Sequence, residues 1–288
     1  MNEQLRQIGL AMGGGGGKGA AHIGVLTALE ALQIPIDVLT GTSIGGLVAA
    51  LYAVGYQPYQ IEHWFQRATA RRILERDPTN GGLLGTRKIE TLLREAFGER
   101  TFNDVQRPLA LVAVDIQRAT EVIIRDGKLV DAVLATTAIP GLFPPFIRND
   151  RLLVDGGVLN NVPVDVAHKL GAQQVIAVDL GVVEDQALYW RPTEPSGAPW
   201  SPRRWVPRSQ LATAERALAI MMARITEQRL AMSPAAVLLR PVMPTMLPLD
   251  FTRTVEGRMV GERTTFQQRA ALEMLRNWRN DENALDHL

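Results

Sequence analysis

The chain has 288 residues, 46% hydrophobic and 21% charged, with 31 Lys and Arg against 30 Asp and Glu. So even a balance offers no basic face for nucleic acid, and a sequence without cysteine has no disulfides and no thiolate metal sites. The length fits one α/β domain with a large core, and the longest apolar stretch, Ile44 to Val54, falls short of the ~20 residues that cross a bilayer.

Residues 1–12 lack the order of a secretory signal, so the expectation is a soluble, cytoplasmic protein, with peripheral contact at a membrane surface left open. Gln7 to Met12 reads as a first strand that runs into Gly13 to Gly19, and Ala20 to Leu32 has helix-favouring composition. Successive glycines leave backbone N–H groups uncovered and a helix N-terminus adds partial positive charge, so this loop suits an anion. A nucleotide phosphate in a P-loop does not fit, because Met12 stands where the first glycine belongs and Gly19 follows Lys18 where Ser or Thr is needed. Gly14, Gly16 and Gly19 match GxGxxG, a weak signal by itself. The acid for a ribose would be Asp37, which precedes the next strand's core instead of ending it. The third candidate anion is the oxyanion of a tetrahedral acyl intermediate.

Ile36 to Thr40 is a β-rich run and Ile44 to Val54 is an apolar helix. Between them, Gly41-Thr42-Ser43-Ile44-Gly45 sets one serine between glycines where strand becomes helix, the context of a nucleophile elbow. A tight βα turn without chemistry is the plainer alternative. Pro58 to Ala68 and Lys88 to Phe97 read as amphipathic helices separated by a loop, Thr69 to Arg87, that is a candidate flap or a solvated basic loop. Pro108 to Ile116 and Thr120 to Arg125 are strands, the first apolar enough to be central; Leu129 to Ala138 is helical. Ala138 to Pro145, apolar and rigid, is either a packed loop or a wall for an acyl chain.

A strand at Leu152 to Val154 delivers Asp155-Gly156-Gly157, where the carboxylate either closes its own turn or faces a cleft at the carboxyl edge of the sheet. Val164 to Leu170 is helical and Gln173 to Leu180 is a buried strand. Residues 184–208 are rich in Pro, Trp and Arg, including Trp190, Trp200 and Trp205, and read equally as a membrane-facing cover or as a surface excursion. Leu211 to Met232 is a long helix, Ala236 to Leu239 a strand and Glu262 to Trp278 a closing helix.

A serine needs a base. His22, His63, His168 and His287 all sit away from strand ends and read as structural or surface residues, which leaves Asp155 better placed. A carboxylate suffices more readily for an ester than for an amide, and burial would raise its pKa toward the working range. An Asp base would keep activity well below pH 6, whereas a His base would switch off near about 6.5.

GGGGGKG followed by AAHIGVL, then GTSIG, then DGG, in that order, resembles the patatin-like phospholipase family, its short single-domain bacterial members above all. The resemblance covers about residues 8 to 180. It implies a three-layer α/β/α sandwich around a mainly parallel sheet, hydrolysis of lipid acyl esters, and no metal or cofactor. Carried over, Ser43 is the nucleophile and Asp155 the base, and Gly14, Gly15, Gly16, Gly17, Lys18 and Gly19 form the oxyanion and substrate loop. Gly41, Gly45, Gly156 and Gly157 are the motif glycines. Lys18 stands where many members carry Arg, which retains the charge. The expected organisation is a catalytic core at 1–181 and an extension at 182–288 packed on the same domain. The expected partner is a lipid or acyl-ester substrate and not nucleic acid; oligomeric state is not legible. Alternatives are an esterase, thioesterase or acyltransferase on soluble acyl substrates, or a non-enzymatic regulator that keeps the scaffold.

Overall fold

The computed structural model of the chain describes residues 6–68, 75–76, 84–181, 208–243 and 252–281. The expected flap at 69–87 and the Trp-rich stretch at 184–208 lie mostly outside the described residues, as does His287. In chain order, β1 (Ile8–Met12) and β2 (Val38–Thr42) belong to the main sheet, and β3 (Glu75–Arg76) and β4 (Leu84–Gly85) form a separate antiparallel ribbon. The main sheet continues with β5 (Leu109–Asp115), β6 (Thr120–Ile124), β7 (Phe146–Arg148), β8 (Arg151–Asp155), β9 (Gln174–Val178) and β10 (Val237–Leu239). The helices are α1 (Ala20–Ala31), α2 (Ile44–Ala53), α3 (Pro58–Arg67), α4 (Arg87–Phe97), α5 (Leu129–Thr136), α6 (Val164–Lys169), α7 (Arg208–Met232), α8 (Thr254–Gln267) and α9 (Arg269–Asn280).

Strand order is β10-β9-β1-β2-β5-β8-β7, with β6 also on β5. Every pairing from β10 through β5 is parallel, and β6, β8 and β7 join by antiparallel pairs. The five residues of β1, the five of β2 and the seven of β5 are all buried, as the apolar runs require of strands covered on both faces. Alternation along β1 sorts the two faces. Ile8, Leu10 and Met12 join the large core with α1, α2 and α5, while Ala11 joins a smaller one with Val164 and Ala167 of α6 and Leu230 of α7. Helix, sheet and helix therefore form three layers.

Val237 and Leu239 of β10 and Leu272 and Leu275 of α9 belong to the large core. The closing helix differs from expectation. It starts eight residues earlier, at Thr254, and breaks at Gln268 into α8 and α9. Gly257 and Gly261 lower helix propensity by about 1 kcal/mol each, which hides the first half of α8 from a propensity reading. The helix forms there because α8 crosses α1 backbone to backbone. A Cβ on Gly24 would lie 1.9 Å from the Arg258 carbonyl oxygen, and one on Gly261 would lie 2.0 Å from the Ala21 carbonyl oxygen.

Gly24→Ala should therefore destabilise by about 1–3 kcal/mol or more through overpacking, even though alanine is the better helix former. Urea denaturation measures this, and a raised midpoint would mean that α1 and α8 do not make this contact.

Candidate active site

β2 ends at Thr42 and α2 begins at Ile44, leaving Ser43 in the turn with φ 55° and ψ −129°. A left-handed φ in a non-glycine residue stores roughly 1–3 kcal/mol of strain, which the surroundings must hold. They do so through hydrogen bonds. The Ser43 N–H donates to Thr136 Oγ1 at 2.9 Å, Thr136 Oγ1 donates to the Val112 carbonyl, and the Ser43 carbonyl accepts from Leu47 N–H at 3.1 Å. The flanking glycines sit where a side chain has no room. A Cβ on Gly45 would be 2.3 Å from Met12 O, and one on Gly41 would be 2.6 Å from Gly46.

Sheet register brings Asp155 to the same place. On one edge of β5, Thr42 pairs with Val112; Ala113, the next residue, pairs with Val122 on the other edge and with Asp155 on this one. The antiparallel β8 thus takes over the edge that β2 leaves, and the last residue of each strand meets consecutive residues of β5. Gly156 fits the junction, since its Cβ would be 2.3 Å from Val112 O and 3.0 Å from Thr42 Cγ2. Asp155 is 6% exposed and accepts from the Gly157 N–H at 2.8 Å. Burial pushes its pKa up to about 6, held back by hydrogen bonding from Ser43 and from the Gly157 amide. The turn-former and cleft-facing readings of Asp155 are compatible: one carboxyl oxygen closes the turn while the group stays beside Ser43.

Gly16 has φ 56°, a conformation that suits glycine and starts the short 3-10 turn Gly16–Gly19. The first N–H groups of a helical turn lack intrahelical acceptors. Gly13 N–H donates to Val178 O at 2.8 Å, Gly14 N–H to Asn161 O at 3.2 Å and Lys18 N–H to Gly15 O at 3.2 Å. Among the described residues, the N–H groups of Gly15, Gly16 and Gly17 have no backbone acceptor. Gly14 lies against the serine, where a Cβ would be 3.0 Å from that of Ser43 and 2.6 Å from Asn161 Oδ1. Gly19 serves packing, its Cβ position being 2.2 Å from Ile44 Cγ1, and Gly157 sits under Met222 of α7. Lys18 turns elsewhere: its ammonium donates to Leu180 O at 3.3 Å, and burial lowers its pKa, with Asp179 raising it and Arg216 lowering it.

Ser43 and Gly16 open on a cavity of about 80 Å³ whose walls include Leu47, Phe65, Leu93, Ile139 and Phe143. Its lining is almost wholly apolar, and Ile139 and Phe143 come from the stretch read as a wall for an acyl chain.

Among the described histidines none hydrogen-bonds Ser43. His22 is buried, its pKa lowered to about 4 by desolvation despite the Gly13 hydrogen bond, and its Nε2 donates to Gly13 O at 2.7 Å. It braces the glycine loop in the neutral form, while its Nδ1 has no partner among the described residues. His168 Nδ1 bonds to Ala172 O at 2.7 Å, and His63 is exposed. Sequence reading missed two supports. Thr136 holds the Ser43 amide. Asn161, whose Nδ2 donates to Gly14 O at 3.4 Å and whose carbonyl takes the Gly14 N–H, ties the Asp155 turn to the glycine loop. The Asn160-Asn161 pair three residues after Gly157 was the available signal.

The family profile described as Patatin-like phospholipase matches residues 10–168. The chain is 36% identical over 190 residues to Patatin-like phospholipase domain-containing protein ZK370.4 of Caenorhabditis elegans, covering 63% of this chain and 14% of that protein. It is 33% identical over 189 residues to Neuropathy target esterase sws of Drosophila melanogaster, covering 63% and 13% respectively. With Lysophospholipase NTE1 of Meyerozyma guilliermondii it shares 31% over 267 residues, 88% of this chain and 18% of that one. It therefore spans less than a fifth of the length of these relatives.

Because the folded chain holds the Asp155 proton more tightly than the unfolded one, this group's contribution to stability is full below the unfolded value of 3.8 and is lost as pH rises through about 6. At neutral pH its ionised form costs on the order of 3 kcal/mol. Asp155→Asn, which keeps an acceptor for Gly157, is therefore expected to unfold at higher temperature than the parent at pH 8, with the gap closing near pH 4. A variant less stable at pH 8 would refute the desolvation account.

Proposed function

The chain belongs to the patatin-like phospholipase family, and from that premise we propose that it is a serine hydrolase of lipid acyl esters working through Ser43 and Asp155. The observation that carries this reading is a strained serine held beside a buried carboxyl whose pKa is raised to about 6. In the free enzyme near neutral pH the carboxyl is ionised and can accept a proton, yet not so acidic that it could not return it. Asp155 takes the Ser43 proton as Oγ attacks the ester carbonyl. The oxyanion that forms is met by the free amides of Gly15, Gly16 and Gly17, a narrower set than the whole loop from Gly14 to Gly19. Collapse expels the alcohol, which takes the proton from Asp155. Water, deprotonated by the same carboxylate, then attacks the acyl-enzyme; the bond to Ser43 Oγ breaks, Oγ takes the proton back from Asp155, and the fatty acid is released. The apolar cavity beside Ser43 supports a hydrocarbon substituent on the acyl carbon.

Contact with a lipid surface is part of the proposal. Leu218 and Met221 are exposed on α7 and, at i−4 and i−1, share the side of the helix from which Met222 covers Gly157, so an apolar face borders the reacting groups. The small volume of the cavity favours a second reading, hydrolysis of short soluble esters, which would gain nothing from vesicles.

Raising Asp155 to about 6 brings its titration close to that of an ordinary histidine. The pH profile by itself therefore does not separate the two bases, and activity is expected to fall below about pH 6 instead of persisting. Substitution does separate them. Ser43→Ala should abolish fluorophosphonate labelling and lower turnover roughly 10⁴-fold or more, and Asp155→Asn should lower turnover by a similar order. Mass spectrometry of a mixed lipid extract should show Ser43-dependent fatty acid release, faster from vesicles than from monomers. Labelling that survives Ser43→Ala, or an active Asp155→Asn, overturns the mechanism.

A further inference from the structure

The cavity beside Ser43 is too small for a long acyl chain. An apolar cavity of about 150 Å³ holds one benzene, so about 80 Å³ holds roughly three carbons. A second space lies close by: a groove of about 550 Å³ between α3 and α4, whose apolar wall is Tyr56, Tyr59, Trp64 and Ala96 and whose rim is polar, with Glu62, His63, Arg67 and Glu95 among its residues. That volume falls in the range of about 300–1,000 Å³ typical of ligand sites.

Trp64 lines both. Helical spacing explains why. Ile61 and Phe65 on α3 and Ala68 just past its end are buried, Gln60, His63 and Arg67 face out, and Trp64 sits half-buried on the seam with its ring edge-on to Phe65 at 5.7 Å between centroids. Across the seam, α4 offers Leu93 to the cavity and Ala96 to the groove. Besides the indole, the seam is tied by Ala68 packing on Leu92 with Ile89 beside them, by the exposed Arg67–Glu95 pair at 2.9 Å and by Tyr56 Oη donating to Ala96 O at 3.2 Å. An exposed ion pair contributes little, and among the described residues Trp64 is the one side chain that lines both spaces, so it is the side chain that stands between them.

We propose that Trp64 sets acyl-chain length: it closes the cavity behind a short acyl group and must swing aside for a longer chain to run on into the groove between α3 and α4. This rests on the ester-hydrolase reading above, with the acyl carbon at Ser43 and the methylene chain as the occupant.

The test is a series of p-nitrophenyl esters, acetate, butyrate, octanoate and decanoate, presented as monomers to the parent, Trp64→Ala, Trp64→Leu and Ser43→Ala. In Trp64→Ala the ratio of kcat/KM for decanoate over butyrate should rise at least about tenfold, the scale on which a pocket distinguishes a few methylenes. Trp64→Leu, which keeps apolar packing on Phe65, should rise less and carries the test if the alanine variant does not fold. Because it is a ratio, a general loss of active protein leaves it unmoved. Ser43-dependent cleavage of butyrate with an unchanged ratio overturns the gate and leaves the hydrolase reading standing. Cleavage that survives Ser43→Ala, or no cleavage of any ester, overturns both.

Discussion

Along one edge of β5 the sheet changes its neighbour, from parallel β2 at Val112 to antiparallel β8 at Ala113. Two strand ends meeting head to head is unusual in a sheet, because each end leaves backbone groups without ladder partners. Here those groups are met locally: Ser43 N–H by Thr136, Asp155 N–H by Ala138 O at 2.9 Å, and the Thr42 hydroxyl donates to Asn160 O at 2.8 Å. The site follows from this junction. If β8 slipped by one residue, its side chains would exchange faces, and the carboxyl beside Ser43 would be replaced by an apolar neighbour.

The junction also explains why an ionisable group can sit in so dry a place. Desolvation opposes the charged carboxylate, and two hydrogen bonds offset only part of that. At neutral pH the ionised carboxyl therefore lowers stability, and pKa values raised in this way are common where a group serves as a proton acceptor. Ser43 adds backbone strain to the same small region. Neither feature would persist without a rigid surround, and the interior supplies one: Thr40, Thr42 and Thr136 are all fully buried with their hydroxyls bonded to main-chain carbonyls.

α7 and α8 brace the glycine loop and the Asp155 turn from outside. α8 crosses α1 at Gly24, Gly257 and Gly261, and α1 begins where the glycine loop ends. His22, on that first turn, holds the Gly13 carbonyl. The loop is thus fixed from behind by a helix that is itself fixed by backbone contact, and Met222 of α7 closes over Gly157.

Much of this could be read in the residues themselves. Local patterns are short-range, so the apolar runs of β1, β2 and β5, the serine between Gly41 and Gly45, and the glycine loop before α1 marked their own strands, turn and helix. They also marked Ser43 and Asp155 as the residues to watch. What they could not contain was any relation between segments far apart in the chain. Asp155 comes beside Ser43 through strand pairing to β5, Asn161 reaches Gly14 across 147 positions, and Gly257 and Gly261 belong to a helix because α1 lies against them. The same holds for acidity. A carboxyl carries its ordinary pKa in an isolated peptide, and only the tertiary structure, by removing water from around Asp155, decided that it titrates near 6.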